Sequence, residues 1–155
     1  MKYRRLITVI LLTFVGVSLG TLIFKRPDQA PAGGKSWYAA VSPQTKVLAL
    51  YFIGAKRCEA CTAIEILARQ TLERDYAADM KNGRLRLELV NLDDPQNEHF
   101  YQDFQLQART LTLVRMAEAK PAEHRNLDDV WMLYRDPAGF AKYLHHELDP
   151  LLANP

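Results

Sequence analysis

With 155 residues, of which 48% are hydrophobic and 25% charged, the chain is long enough for one ordinary globular domain and too apolar for a disordered one. Its net charge of +2 hides an asymmetry: Lys2, Arg4, Arg5, Lys25 and Arg26 lie in an acid-free stretch, and removing those five leaves 15 basic against 18 acidic residues, or −3. With no basic stripe, no aromatic-basic interleaving and no zinc-finger spacing, nothing points to nucleic acid as a partner.

Residues 6–24 are nineteen in a row without a charge, enough to cross most of a bilayer core of about 30 Å. The basic residues ahead of them keep residues 1–5 in the cytoplasm under the positive-inside rule and send the rest outward. Residues 6–24 therefore read as a single-pass signal anchor in the cytoplasmic membrane. The alternative is a signal peptide cut after Ser18-Leu19-Gly20, but the apolar run continues through Thr21 to Phe24. Either way the domain is exported to the periplasm or cell exterior, an oxidising setting for cysteines. Residues 25–43, with Pro27, Pro31, Gly33, Gly34 and Pro43, read as a linker. Trp37, Tyr38 and Val41 are apolar for a tether and suggest an interfacial or packing segment.

From Gln44 strands and helices alternate, which predicts an α/β sheet. Lys46 to Ile53 is a buried strand, Gly54 to Arg57 a turn, and Cys58 opens a helix carrying Ile64, Leu67, Ala68, Leu72 and Tyr76 on one face, ended by Lys81-Asn82-Gly83. Residues 85–92, alternating at first and near-continuously apolar at their end, form a second strand suited to a central position, which the intervening helix makes parallel to the first through a right-handed crossover. Asp93-Asp94-Pro95 breaks it, and a helix over about 96–105 places Phe100 and Phe104 together. A third strand covers 110–115, a turn 117–120, and a weak edge strand 121–126, its start marked by Pro121. A helix follows over 127–135. After Asp136 as cap and Pro137 at the first position, a last helix aligns Phe140, Tyr143, Leu144, Leu148, Leu151 and Leu152.

The chemistry sits in Cys58-Glu59-Ala60-Cys61, which holds the only two cysteines. Three residues apart at a helix N-terminus, their side chains share a face about 5–6 Å apart, close enough for a reversible disulfide. The partial positive charge of the helix end, with Lys56 and Arg57 beside it, favours a Cys58 thiolate, opposed by Glu59. Cys58 is the expected nucleophile and Cys61, a turn deeper, the resolving thiol. A short structural disulfide and a metal half-site are the alternatives; the pair supplies two of the four ligands of a structural zinc, and no further cysteine completes the set. His99 and His124 are isolated, and His145 and His146 diverge by about 100° on a helix, so all four read as surface histidines. Asp128-Asp129 reads as a helix cap. Asp93-Asp94 stands at the C-terminal edge of a parallel strand, a place where α/β folds put ligands, but before proline it reads first as a turn. No GxSxG or Walker-type loop is present.

Strand, Cys58-to-Cys61 helix, strand ending Val90-Asn91-Leu92-Asp93, helix and then Thr110-Leu111-Thr112-Leu113-Val114 resembles the thioredoxin-like superfamily over residues 44–155, and membrane-tethered, exported members in particular. The resemblance implies a central mixed sheet flanked by helices, thiol-disulfide oxidoreductase chemistry on a protein substrate, a separate redox partner, and no cofactor beyond the Cys58–Cys61 disulfide. The chain departs from the family in three ways. Its Glu59-Ala60 dipeptide gives no guide to redox poise. The family's buried acid in the first strand is replaced by Tyr51 or Phe52, with Glu65 a candidate substitute, although such helix glutamates are ordinarily solvated. The family's cis-proline position falls on Arg109 or Thr110, where a trans bond is expected, because cis before a non-proline costs about 3 kcal/mol. Absence of that proline keeps a metal-binding or metal-delivery module as an alternative, beside a non-catalytic adaptor. Arg109 facing Cys58 would stabilise the thiolate or recognise an anionic substrate; otherwise it is a solvated arginine at the strand edge.

Overall fold

The computed structural model describes residues 37–153; the expected segments 1–5 and 6–24, and residues 25–36 of the expected linker, lie outside the described residues. The apolar run after Lys46 becomes β1 (Val47–Ile53), buried along all but its last residue. A strand so buried must be central, and it is: β1 pairs in parallel with β2 (Leu85–Asn91) and antiparallel with β3 (Leu111–Ala117), which turns back into β4 (Lys120–Leu127). The sheet order is β2-β1-β3-β4, with the proline-bearing strand at an edge as expected, whereas β2, expected to be central, forms the other edge: only Leu85 is fully buried and its apolar end is half-buried. The β3–β4 turn places Glu118 and Ala119 at φ 51° and 61°, the left-handed pair that a tight hairpin requires.

The expected helix from Cys58 to Lys81 is two helices, α1 (Glu59–Asp75) and α2 (Ala77–Lys81), parted at Tyr76. Tertiary contacts explain the break: the Tyr76 hydroxyl donates to Asp149, and its ring meets that of His145 edge-on at 5.6 Å. The helix expected over 96–105 is also interrupted. Asp94 accepts the Gln96 N–H and starts a single 3-10 turn, Pro95–Asn97, and only α3 (Phe100–Asp103) follows before Gln105 takes a positive φ of 52°. The expected helix over 127–135 shortens to α4 (Val130–Leu133), whose Asp129 sits at the cap without a capping side-chain bond. Asp136 does cap the last helix, α5 (Pro137–Ala153), by accepting the Gly139 N–H at 3.0 Å.

Strand alternation sends Val47, Ala49 and Tyr51 to one face of the sheet and Leu48, Leu50 and Phe52 to the other. The first face is covered by α1 and α5 through Ile64, Leu72, Phe140, Leu144 and Leu148. The second packs against Phe100 and Phe104, whose rings stack 9° from parallel, as the expected shared face required. Trp37 meets both of these rings edge-on, at 5.3 and 5.6 Å, and Val41 is buried beside them. The packed body therefore begins at the 3-10 turn Trp37–Ala40, ahead of the expected boundary at Gln44. Among the described residues no helix is long and apolar enough to cross a membrane.

Candidate redox site

β1 ends at Ile53, whose carbonyl accepts the Leu92 N–H just beyond β2. The chain then turns through Gly54 to Arg57 and delivers Cys58 in an extended conformation (φ −92°, ψ 165°) as the N-cap of α1, one position earlier than its expected place in the first turn. Cys58 and Cys61 are joined in a disulfide with their α-carbons 5.1 Å apart. Cys58 is exposed, Cys61 half-buried. The Cys61 N–H donates to Cys58 Sγ at 3.0 Å, so the sulfur takes the role that a serine or aspartate oxygen plays at other helix starts. The same donated N–H favours a negative sulfur once the disulfide is reduced.

Behind the disulfide stands Tyr51. Its hydroxyl donates to the Cys61 carbonyl at 2.8 Å. Burial is the main reason its phenol is pushed up to about 12; Arg57 pulls it down and Glu65 raises it further. Tyr51 thus keeps its proton at neutral pH and is no base. Phe52 points to the other face of the sheet. Glu65 is not the solvated glutamate expected: its side chain is 19% exposed and pairs with Arg57 and Arg69. Arg57 is accordingly committed to Glu65 rather than free to act on Cys58 alone. Lys56 is exposed.

Arg109 and Thr110 part company. Among the described residues no peptide bond is cis, as expected at this position. Thr110 is buried, and its hydroxyl donates to the Leu127 carbonyl at 2.9 Å while its own carbonyl accepts the Phe52 N–H. Its side chain therefore ties the entry of β3 to β4. Arg109 keeps part of its side chain in solvent but is not free. Its guanidinium pairs with Asp93, and its carbonyl accepts the Trp131 indole N–H at 2.9 Å. Asp93 also accepts the Ala55 N–H at 2.7 Å. That backbone bond, followed by the charge of Arg109, holds the Asp93 carboxyl below its ordinary range although burial opposes this.

Asp93, Gly54, Trp131 and the Tyr51 hydroxyl are the site's unexpected members. Asp93 gave a signal in the sequence by standing at the C-terminal edge of a parallel strand, and Tyr51 by standing where the resemblance placed a buried acid; Gly54 and Trp131 gave none. The histidines lie elsewhere: His99 pairs with Asp103 and His145 with Asp75, both at 2.7 Å, His124 sits edge-on to Phe104, and His146 is exposed. Among the described residues no group of three or more His, Cys, Asp or Glu side chains is arranged to hold a metal ion.

A mixed sheet ordered β2-β1-β3-β4, helices on both faces, and a CxxC disulfide at the start of the helix that follows a buried inner strand give the arrangement that the resemblance to thioredoxin-like proteins implied. No family model matches the sequence, and no curated protein does. Among solved structures, the chain is similar to Trxlp from Edwardsiella tarda, at 15% identity over 66% of this chain and 84% of that one, with a TM-score of 0.44. It is also similar to a malarial protein (21% identity, 61% and 99% covered, TM-score 0.37). Thioredoxin-2, a component of the malaria parasite's protein secretion machinery, is a third (21% identity, 58% and 82% covered, TM-score 0.36).

Proposed function

We propose that this chain exchanges thiols and disulfides with a protein partner on the outer side of the cytoplasmic membrane, to which residues 6–24 anchor it, without a cofactor beyond its own cysteine pair. The observation that carries the reading is an exposed Cys58 sulfur at a helix N-cap, receiving a backbone N–H and already paired with a less accessible Cys61. In the reducing direction, the Cys58 thiolate attacks one sulfur of the partner's disulfide and expels the other as a thiolate. Cys61, having lost its proton to solvent, then attacks Cys58 Sγ, releases the second partner sulfur and closes the Cys58–Cys61 disulfide. Two electrons pass to the partner, and a separate dithiol donor must return them. Run backwards, the same steps oxidise a partner dithiol.

The uncharged run 6–24 and the basic residues ahead of it support the membrane placement and the outward orientation. The test is a pair of substitutions assayed on a model disulfide substrate. Cys58→Ser should abolish turnover, and Cys61→Ser should accumulate a mixed disulfide that resolves on a non-reducing gel. Turnover surviving Cys58→Ser overturns the proposal.

A further inference from the structure

The turn that presents Cys58 is fastened to the segment that enters β3. One oxygen of Asp93 accepts the Ala55 N–H and the other accepts from the Arg109 guanidinium. That guanidinium lies over Gly54. Its Cζ, Nη1 and Nη2 fall 2.4, 2.5 and 2.7 Å from where a β-carbon on Gly54 would stand, closer than real β-carbons approach other atoms. A β-carbon at position 54 would therefore push the guanidinium, the far end of a flexible side chain, out of this pose. Arg109 Nε is buried without a partner, an arrangement that costs free energy. The Asp93 pair and the seat over Gly54 must offset that cost. Gly54 follows β1, Asp93 follows β2 and Arg109 precedes β3, so three separate parts of the chain converge four residues before Cys58.

We propose that Asp93 and Arg109 form a clasp that positions Cys58 for attack, with Gly54 as the seat that admits it. The inference rests on the reading of Cys58 as the attacking thiol. Both residues are positioning residues: they hold the turn, and the turn sets the angle at which the Cys61 N–H meets Cys58 Sγ. A loosened turn weakens that donation and with it the preference for thiolate over thiol. The clasp works by geometry, and this separates it from a simple field effect. Were Arg109 acting through space as a cation, removing it and removing Asp93 would move Cys58 in opposite directions. Released as a clasp, both move it the same way, and so does the uncharged Gly54→Ala.

The experiment is the rate of alkylation of Cys58 by iodoacetamide against pH, in the reduced full chain carrying Cys61→Ser so that one thiol reports. Gly54→Ala, Asp93→Asn and Arg109→Gln should each move the midpoint to higher pH. Each should slow the reaction at neutral pH by on the order of tenfold, less than the hundredfold that a misplacement of about 1 Å can cost. The Asp93→Asn, Arg109→Gln double variant should be no slower than either single one. Opposite shifts for the two single variants overturn the clasp in favour of a through-space charge, and unchanged midpoints with lowered denaturation midpoints leave it a merely structural tie. If one variant does not fold, the other two decide. Failure of the underlying function reading shows elsewhere, as exchange activity surviving Cys58→Ser in the otherwise unaltered chain.

Discussion

The two ends of α1 are held in opposite ways. At its start the contacts nearest the cysteines involve backbone groups: Asp93 accepts the Ala55 N–H, the Tyr51 hydroxyl donates a hydrogen bond to the Cys61 carbonyl, and the Cys61 N–H turns to Cys58 Sγ. At its finish they run between side chains. Arg74 grips Asp75 through two nitrogens at 2.6 Å, Asp75 meets His145, and Tyr76 bonds Asp149, the last two contacts joining the helix to α5. Fastening by backbone leaves the cysteine side chains exposed or half-exposed and free for chemistry. Fastening by side chains leaves no reactive group over and serves only to bind two helices.

That contrast makes graded predictions. Tyr76→Ala removes the edge-on ring contact and the bond to Asp149 together, and should lower stability by about 2 kcal/mol in urea unfolding. The disulfide exchange rate should stay unchanged; a change in that rate would mean that the two ends of α1 communicate. Tyr51→Phe keeps the ring and deletes one hydrogen bond, leaving the Cys61 carbonyl short of a donor, so about 1 kcal/mol of stability should go. Here the reduction potential should move as well, because the lost contact belongs to the cysteine turn.

The smallest effect is a pH dependence. The side-chain bond from Arg74, aided by His145, lowers the Asp75 carboxyl to about 2 from an ordinary value of 3.8. A group depressed in the folded state contributes stability that is fully present above its unfolded value and is lost as pH falls through the folded one. The thermal unfolding midpoint should therefore drop between about pH 4 and pH 2, and Asp75→Asn should flatten part of that slope. A slope unchanged by the substitution would show that other carboxylates, Asp93 among them, account for it.

What could be read from the sequence followed the range of the interactions. The buried run of β1, the cysteine helix, the edge character of β4 and the Asp136-Pro137 start of α5 are each set within a few residues, by periodicity or by a cap, and each was legible. The break at Tyr76 was not, because its partners Asp149 and His145 are about seventy residues away and helix propensity alone carries the pattern through to Lys81. The roles of Arg109 and Thr110 were open for a similar reason. Which of two adjacent residues turns inward depends on the register of β3 against β1, and only the paired strands fix that Leu111 lies opposite Tyr51. The part played by Gly54 depends on a side chain that arrives from another loop.

The edge-on packing of Trp37 on Phe100 and Phe104 sets where the folded body begins, and with it the leash that the proposed anchor would leave. With residues 37–43 held against the domain, the proposed anchor at 6–24 would leave only 25–36 between it and the folded body, twelve residues that reach at most about 40 Å when fully extended. The full stretch 25–43 would have reached about 65 Å. Under the proposed anchoring, a domain on the shorter leash would sweep a shallow layer above the bilayer. The partners that its disulfide could meet would then be those whose own cysteines lie within that layer, and distance would select among them before any surface recognition begins.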